Sequence, residues 1–242
     1  MKLLIDLADR ALLPDRLIRL GIRHLDRMRL DQESKRYGVI PGKAITELIT
    51  AMRSSPVALT TGIANQQHYE IPAAFFEKVL GGHLKYSSAL WNTGVTSLAK
   101  AEADMLAVTA RRADIKDGMD ILELGCGWGS LTLWNAERYP NSRITAVSNS
   151  VSQRRFIENR CRERGLVNVQ AITADMNHFS TDRRFDRIVS VEMFEHMRNW
   201  ASLLARIDAW LNDSGRVFIH IFTHRQFAYA FETDGDDNWM GR

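Results

Sequence analysis

Residues 121–129 read Ile-Leu-Glu-Leu-Gly-Cys-Gly-Trp-Gly, a short apolar run that stops at three alternating glycines. An amphipathic stretch follows over 131–139, so the segment predicts a buried strand, a tight turn and a helix. Glycine permits a positive φ and lets a ligand approach the main chain, as a strand-to-helix turn beneath a nucleoside requires. This stretch therefore predicts an open α/β sheet with a ligand bound at the turn.

The spacing of Gly125, Gly127 and Gly129 differs from the dinucleotide fingerprint. A nicotinamide site is typically G-x-G-x-x-G, and here the third glycine comes one residue early. With Glu123 two positions before the first glycine, the pattern favours S-adenosylmethionine as the ligand. A purely structural turn after a buried strand is the alternative interpretation of the glycines.

From residue 120 onward, strand-like and helix-like segments alternate, which is typical of a doubly wound parallel sheet covered on both faces. The predicted strands are 120–124, 143–148, 167–173, 185–191 and 215–222, with helices that include 152–164 and 200–210.

We predict two domains, a helical region over 1–95 and a Rossmann-like domain over 96–242. A sheet of this kind usually adds closing strands, so we also expect the chain to be a fragment whose last strands lie beyond Arg242.

The apolar residues of segment 3–30 recur at helical spacing among many arginines, which predicts two amphipathic helices separated near Pro14. They either pack on the sheet domain with their arginines in solvent or lay a basic face on an anionic membrane. Residues 54–67 are the predicted linker, and further helices are expected over 71–80 and 96–111.

Composition narrows the class of protein. The 242 residues carry a net charge of +3 with acids and bases interleaved, which argues against a nucleic-acid-binding protein. Cys126 and Cys161 do not form a disulfide framework, which indicates a reducing compartment. The chain has no signal-peptide pattern and no run near the roughly 18 apolar residues of a membrane span. We therefore expect a cytoplasmic location.

The second predicted strand ends at Ser148-Asn149-Ser150, without the acid that commonly holds a nucleoside ribose there. Gln153, in the first turn of the next helix, can supply amide hydrogen bonds to the ribose together with Asn149. A capping role for Asn149 and Ser150 is equally compatible with the pattern.

The third predicted strand ends at Ala174-Asp175-Met176-Asn177. Ligands of open parallel sheets bind at strand ends, so we expect Asp175 to accept a hydrogen bond from the adenine amino group and Met176 to pack on the ring. The alternative for Asp175 is a capping or turn role.

The fourth predicted strand runs into Glu192-Met193-Phe194-Glu195-His196. If Glu192 begins a helical turn, Glu195 and His196 lie on the same face as Glu192. An ionisable cluster at strand ends favours a functional role. We predict no metal site, because Glu192 stands where an inverted zinc motif needs histidine and the His220 region lacks the glutamate of H-E-x-x-H.

Several motifs together resemble the cyclopropane-fatty-acyl-phospholipid synthase family. Within that family, the chain is most similar to the coclaurine N-methyltransferase-like members over 149–153, 192–197 and 231–240. The motifs that carry the family resemblance lie at 68–71, 84–88, 122–129, 185–190 and 194–196.

The resemblance implies a class I methyltransferase sheet with an N-terminal helical lid, and S-adenosylmethionine as co-substrate. Tyr69, Tyr86 and Ser87 then match the family's lid over the cofactor. Ordinary packing is the alternative for the two tyrosines.

Two positions separate the branches of the family. Cyclopropane synthases hold a bicarbonate base with a cysteine after Tyr-Ser, the Glu of Phe-Glu-His, a fifth-strand His and a later Tyr. This chain has Ser88 for that cysteine and Glu192 where those synthases usually carry glycine, although His220 matches the fifth-strand position. Any matching Tyr would lie past Arg242.

The resemblance therefore favours methylation of a small-molecule amine. We expect Glu195 and His196 to act as a base pair, with the carboxylate orienting the ring, and Glu192 to attract the cationic substrate. Cyclopropanation of membrane-lipid acyl chains, with bicarbonate, is the first alternative. A fragment that binds S-adenosylmethionine without catalysis is the second.

Overall fold

The structure is a computed structural model that describes residues 2–38, 42–59 and 71–229. It divides into two compact units, one of Met1–Ala51 with Thr223–Arg242 and the other of Met52–Phe222. The expected domain boundary after residue 95 coincides with neither limit and stays a prediction.

The first unit contains α1 (Lys2–Asp9), α2 (Asp15–Gly38) and most of α3 (Lys43–Arg53). The predicted break near Pro14 is confirmed, and the Pro14 carbonyl accepts from the first turn of α2. A proline there loses no helical hydrogen bond, since the first turn of a helix has no partner for its N–H groups. None of the described helices is long and apolar enough to cross a membrane.

The second unit is built on five parallel strands in the order β3-β2-β1-β4-β5, which confirms the predicted doubly wound sheet. The strands are β1 (Asp120–Leu124), β2 (Arg143–Ser148), β3 (Val169–Thr173), β4 (Phe185–Val191) and β5 (Leu211–His220). The helices are α4 (Ala73–Val79), α5 (Leu98–Arg112), α6 (Ser130–Arg138), α7 (Val151–Arg164) and α8 (Trp200–Trp210), with a 3-10 turn at Phe194–His196.

Apolar side chains of the central strands alternate between two cores. On one face Ile121 packs with residues of α5 and α6, and on the other Leu122 and Leu124 pack with residues of α8. Burial on both faces explains why these strands read as nearly continuous apolar runs. β1 lies between β2 and β4, so the glycine turn that follows it lies where the strand order reverses.

Two strand boundaries differ from the prediction. β3 begins at Val169 rather than at Val167, whose side chain is 96% exposed. β5 begins four residues earlier and ends two residues earlier than predicted. Its turn-like residues 212–215 lie within a register shift opposite β4, where Leu211 pairs with Phe185 and the regular pairing resumes at Arg216.

The described part of the predicted linker is fixed to the second unit. The Val57 carbonyl accepts from Arg198 N at 2.7 Å, and Ala58 pairs in antiparallel fashion with Met197. Residues 54–59 are therefore a strap on the sheet domain rather than a free linker. Residues 60–67 lie outside the described part of the chain.

Candidate functional site

The glycine turn after β1 is held by β2, because the Val147 carbonyl accepts from Gly125 N at 2.9 Å and from Cys126 N at 3.0 Å. Gly125, Gly127 and Gly129 all have positive φ, at 80°, 52° and 82°. A Cβ on Gly125 would lie 2.8 Å from Met193 Cβ, and one on Gly129 would lie 2.6 Å from Ile157 Cγ1.

Gly127 differs from its two neighbours, because a Cβ there would meet nothing within 4 Å. Packing against the domain thus accounts for Gly125 and Gly129. Among the three glycines of this turn, Gly127 alone combines left-handed backbone with open space, so this is the point of the turn at which a ligand can approach the main chain closely.

Two cavities flank the turn at the carboxyl ends of the strands. The β2–β3 cavity, of about 110 Å³, is lined by residues at the ends of β2 and β3, by the strap and by residues of segment 192–197. The β4–β5 cavity, of about 420 Å³, is lined by segment 84–87 and by residues near the ends of β4 and β5. The residues that line both are Gly125, Gly127, Gln153, Glu192 and His196.

At the end of β2, short-range hydrogen bonds shape the β2–β3 cavity. Ser150 Oγ caps α7 by accepting from Gln153 N at 3.3 Å, and Ser148 Oγ donates to Gln153 Oε1 at 2.6 Å. Because the amide oxygen of Gln153 is used in this way, its NH₂ group is the part that can donate to a ligand. Asn149 lines the same cavity.

At the end of β3, Met176 lines the β2–β3 cavity and Asp175 does not. The Asp175 carboxylate accepts from Asn177 N at 2.7 Å, and its carbonyl accepts from two further backbone N–H groups. This is the turn role given above as the alternative. A contact of Asp175 with adenine stays a prediction.

Asn177 clamps the strap to this cavity, a role that the sequence did not suggest. Its Oδ1 accepts from Ala58 N at 2.9 Å, and its Nδ2 donates to Ala58 O at 3.0 Å. These bonds place Ala58 and Leu59 in the cavity wall. The partners are 119 residues apart, so no local pattern could have pointed to the contact.

Glu192 is held in a strained conformation at the wall shared by the cavities. Its φ is 55°, and its N–H donates to the His220 carbonyl at 2.8 Å. The hydroxyls of Ser87 and Ser88 each donate to one of its carboxylate oxygens. The expected helical turn from Glu192 is wrong: Glu192 N is held by β5, and the 3-10 turn begins only at Phe194.

The charge of Glu192 is set by opposing effects. Burial would raise its pKa, but the two serine hydroxyls and the charges of Lys85 and His220 bring the pKa below its ordinary value. The carboxylate is therefore ionised at neutral pH. For Glu123, burial dominates over the bond from Thr132 Oγ1 at 2.6 Å and raises the pKa to about 7.

The expected hydrogen bond between Glu195 and His196 is not formed. Glu195 Oε1 accepts from Phe222 N at 2.8 Å, and its buried Oε2 has no partner among the described residues. Phe222 lies beyond the end of β5, so its N–H is not used in strand pairing and donates to the Glu195 carboxylate instead. His196 is exposed and lines both cavities.

The structure brings most of the predicted site residues to the two cavities. Gly129, Asp175, Glu195 and His220 line neither, and Tyr69 lies outside the described residues. The predicted residues in the cavity walls are Tyr86, Ser87, Glu123, Gly125, Gly127, Asn149, Gln153, Met176, Glu192 and His196. In the ranges that the structure describes, no three His, Cys, Asp or Glu side chains are grouped to hold a metal ion.

Residues 59–242 match the model of the mycolic acid cyclopropane synthetase family. The chain belongs to this family. It is 40% identical over 196 residues to (S)-coclaurine N-methyltransferase of Thalictrum flavum subsp. glaucum, an alignment that covers 81% of this chain and 54% of the relative. Cyclopropane-fatty-acyl-phospholipid synthase of Escherichia coli K12 is 31% identical over 160 residues, covering 65% of this chain and 40% of that protein.

A solved structure of coclaurine N-methyltransferase bound to N-methylheliamine and SAH has the same fold. It matches with a TM-score of 0.89 and 36% identity, covering 98% of this chain and 68% of the other. The predicted class I methyltransferase fold and the family resemblance are thus confirmed. The chain spans only 54% and 65% of two coclaurine N-methyltransferases that it matches.

Proposed function

We propose that this chain transfers a methyl group from S-adenosylmethionine to the nitrogen of a small-molecule amine. The observation that carries the proposal is the contact between Ser88 and Glu192, the two positions at which the family's branches differ. The serine donates directly to the glutamate, so the two differences from the cyclopropane synthases form one structural unit. That unit presents an anionic group to the β4–β5 cavity.

The glycine turn and the β2–β3 cavity fit the adenosine half of S-adenosylmethionine. Gly127 leaves the main chain open, while Asn149 and the Gln153 amide supply polar groups suited to a ribose. Met176 supplies an apolar surface suited to adenine. A relative that is 36% identical binds SAH, the demethylated form of this co-substrate, which further supports the proposal.

When bound, S-adenosylmethionine supplies a methyl group already activated by a sulfonium. An alkylamine has a pKa near that of lysine, about 10.4, so at neutral pH its nitrogen is protonated and has no free electron pair. The ionised Glu192 attracts this cation, and His196 takes the proton as a general base.

The rest of the β4–β5 cavity favours an apolar amine. Phe76, Leu131 and Val191 contribute apolar surface to the cavity that Glu192 also lines, and such a lining keeps water from the reacting groups. Glu195 acts by holding the Phe222 end of the cavity.

The test combines calorimetric titration of S-adenosylmethionine with product analysis by mass spectrometry on an amine panel and on phospholipid vesicles. We expect saturable cofactor binding and a product 14 mass units heavier than an amine, the mass of one CH₂. A methylene in lipid acyl chains without an amine product, dependent on bicarbonate, would establish the cyclopropane synthase alternative instead. Cofactor binding with neither product would identify a non-catalytic fragment.

We further propose that the N-terminal helices touch a membrane surface and that the protein resides in the cytoplasm. Leu17 and Leu20 are exposed on α2 beside Arg16, which supports membrane contact. The free thiols of Cys126 and Cys161 support a reducing compartment. Sedimentation with anionic vesicles should exceed that with neutral vesicles and should fall in R16Q. Equal sedimentation with both would contradict the membrane contact.

A further inference from the structure

Lys85 is a buried cation that the proposed reaction does not use. Its side chain lies in the wall of the β4–β5 cavity, and the residue is 7% exposed. Its Nζ donates to the Ser87 carbonyl at 2.8 Å. Burying an ammonium group is unfavourable unless it is hydrogen-bonded and balanced by opposite charge. The carboxylates whose charges act on it are Glu192, Glu102 and Glu123.

The backbone around Lys85 is strained. Leu84 and Ser88 bound a bend, residues 84–88, and both have positive φ, at 49° and 57°. Glu192, which receives hydrogen bonds from this bend, also has a positive φ, at 55°. Residues other than glycine keep such conformations only where surrounding contacts hold them, and they concentrate at functional sites.

A chain of hydrogen bonds connects Lys85 to Glu192. The ammonium holds the Ser87 carbonyl, and the hydroxyls of Ser87 and Ser88 hold the two carboxylate oxygens. Fixing the Ser87 carbonyl restricts the peptide unit that joins the two serines. The orientation of both hydroxyls therefore depends on the Lys85 contact.

We propose that Lys85 is a positioning residue for the amine acceptor: its ammonium fixes the 84–88 bend from which both serine hydroxyls hold the Glu192 carboxylate at the cavity. This inference rests on the proposed amine methylation and adds a residue that determines acceptor binding. The contacts assigned to adenosine come from other segments, because Gly127, Asn149 and Met176 line the β2–β3 cavity. Tyr86 and Ser87 of the bend match the family's lid over the cofactor, so the bend can contribute to the rest of the cofactor site.

The test compares K85M, which removes the charge from a side chain of similar shape, with K85R, which retains a cation. The control is K100M, which removes an exposed lysine paired with Asp104 on α5. With N-methylbenzylamine as the probe, KM should rise about 10- to 100-fold in K85M, as for loss of charge-assisted hydrogen bonds. The K85R variant should recover most of this loss, and K100M should match the wild type.

Two measurements distinguish positioning from a merely structural role. The dissociation constant of S-adenosylmethionine should rise by a smaller factor than the KM for the amine in K85M, because the groups assigned to adenosine, Gly127, Asn149 and Met176, lie outside the bend. The acid limb of kcat/KM should move to higher pH, because Glu192 loses the Lys85 charge, one of the effects that lower its pKa. The charge of His220 still acts on Glu192 in this variant, and His196 lies in the same cavity wall.

An unchanged KM and pH profile in K85M would overturn the proposal for Lys85. A parallel loss of cofactor binding and thermal stability that K85R does not restore would overturn it as well, by assigning Lys85 a structural role. If the wild-type chain methylates no amine in the panel, both the proposed function and this role fail. Amine product from the wild type with normal kinetics in K85M refutes the Lys85 role alone.

Discussion

The two cavities beside the glycine turn are built in different ways. The β2–β3 cavity is shaped at β2 by bonds between near neighbours, such as those that join Ser148, Ser150 and Gln153. The β4–β5 cavity depends on contacts between segments 104 and 105 residues apart, which join Ser87 and Ser88 to Glu192.

Strain follows the same division. Of the described residues other than glycine that have a positive φ, Leu84, Ser88 and Glu192 gather at the β4–β5 cavity. The left-handed residues of the glycine turn are glycines, for which this conformation carries little penalty. The comparison indicates that strained residues and contacts between distant segments hold Glu192 for the acceptor half, whereas the glycine turn and the end of β2 form their part of the cofactor half without strain. In the cofactor half, a distant contact enters at the Asn177 clamp on Ala58.

The largest effect is expected from H196A. Loss of a general base lowers turnover by about 10²- to 10⁴-fold. The dissociation constant of S-adenosylmethionine should change only a few-fold, because Gly127, Asn149 and Met176 still line the cavity assigned to adenosine. The control is H178A, an exposed histidine just after β3. Steady-state kinetics measure turnover, and calorimetry measures the dissociation constant. Equal losses of turnover in H196A and H178A would contradict the role of His196 as the base.

The next effect separates the glycines by stability. The variant G129A combines an unfavourable φ with overlap on Ile157, so we expect a loss of about 2–4 kcal/mol in the free energy of unfolding. The variant G127A meets open space and should lose only about 1–2 kcal/mol, from backbone strain alone. Urea denaturation gives both values.

The same glycine variants also differ in what they do to the cofactor. G127A should weaken S-adenosylmethionine binding, measured as the dissociation constant, despite its smaller effect on stability. Normal cofactor affinity in G127A would contradict the proposal that the cofactor contacts the main chain at Gly127.

A third prediction concerns the pH dependence of stability. The pKa of Glu123 is raised to about 7 by burial, so folding favours its protonated form and stability falls as the pH rises through the folded pKa. Between pH 5 and pH 8 the wild type should lose about 2–3 kcal/mol relative to E123Q, whose amide oxygen can still accept from Thr132. Parallel stability curves for the two proteins, measured by urea denaturation, would contradict the raised pKa.

The smallest effect compares the two asparagines that hold the strap. The variant N177A frees Ala58 from the β2–β3 cavity wall, so cofactor affinity should fall about tenfold, the equivalent of about 1.4 kcal/mol and one net hydrogen bond. Asn199 Nδ2 donates to the carbonyl of Ser55 in the strap and to that of Arg53 just before it, and Asn199 also caps α8.

The variant N199A should therefore lose about 1 kcal/mol of stability without losing cofactor affinity. Calorimetry and thermal unfolding of both variants check the pair. Equal cofactor affinities for N177A and N199A would show that the strap does not shape the cavity.

The sequence determined the elements that depend on local pattern. The ranges of β1, β2, β4 and α8 agree with the prediction, because buried strands and amphipathic helices carry periodicities that are visible in one dimension. Predictions were less accurate where local signals conflict with pairing, as at β5, where turn-like residues 212–215 lie in a register shift.

The candidate site also has features that the sequence predicted and features that it did not. Most of the predicted site residues do line the cavities, because strand ends in a parallel sheet converge at one edge. The roles of Lys85 and Asn177 were not predicted, and Glu195 bonds to Phe222 rather than to His196. Each of these depends on a partner or on a backbone orientation that residue spacing does not encode.

By itself, the sequence determined the parallel sheet, the glycine turn and the family, since all three depend on residue order over short windows. Only the tertiary structure decided that Ser87 and Ser88 meet Glu192 and that Ala58 is clamped by Asn177. The physical reason is that a hydrogen bond depends on distance and angle between groups, and chain folding sets both for partners more than a hundred residues apart.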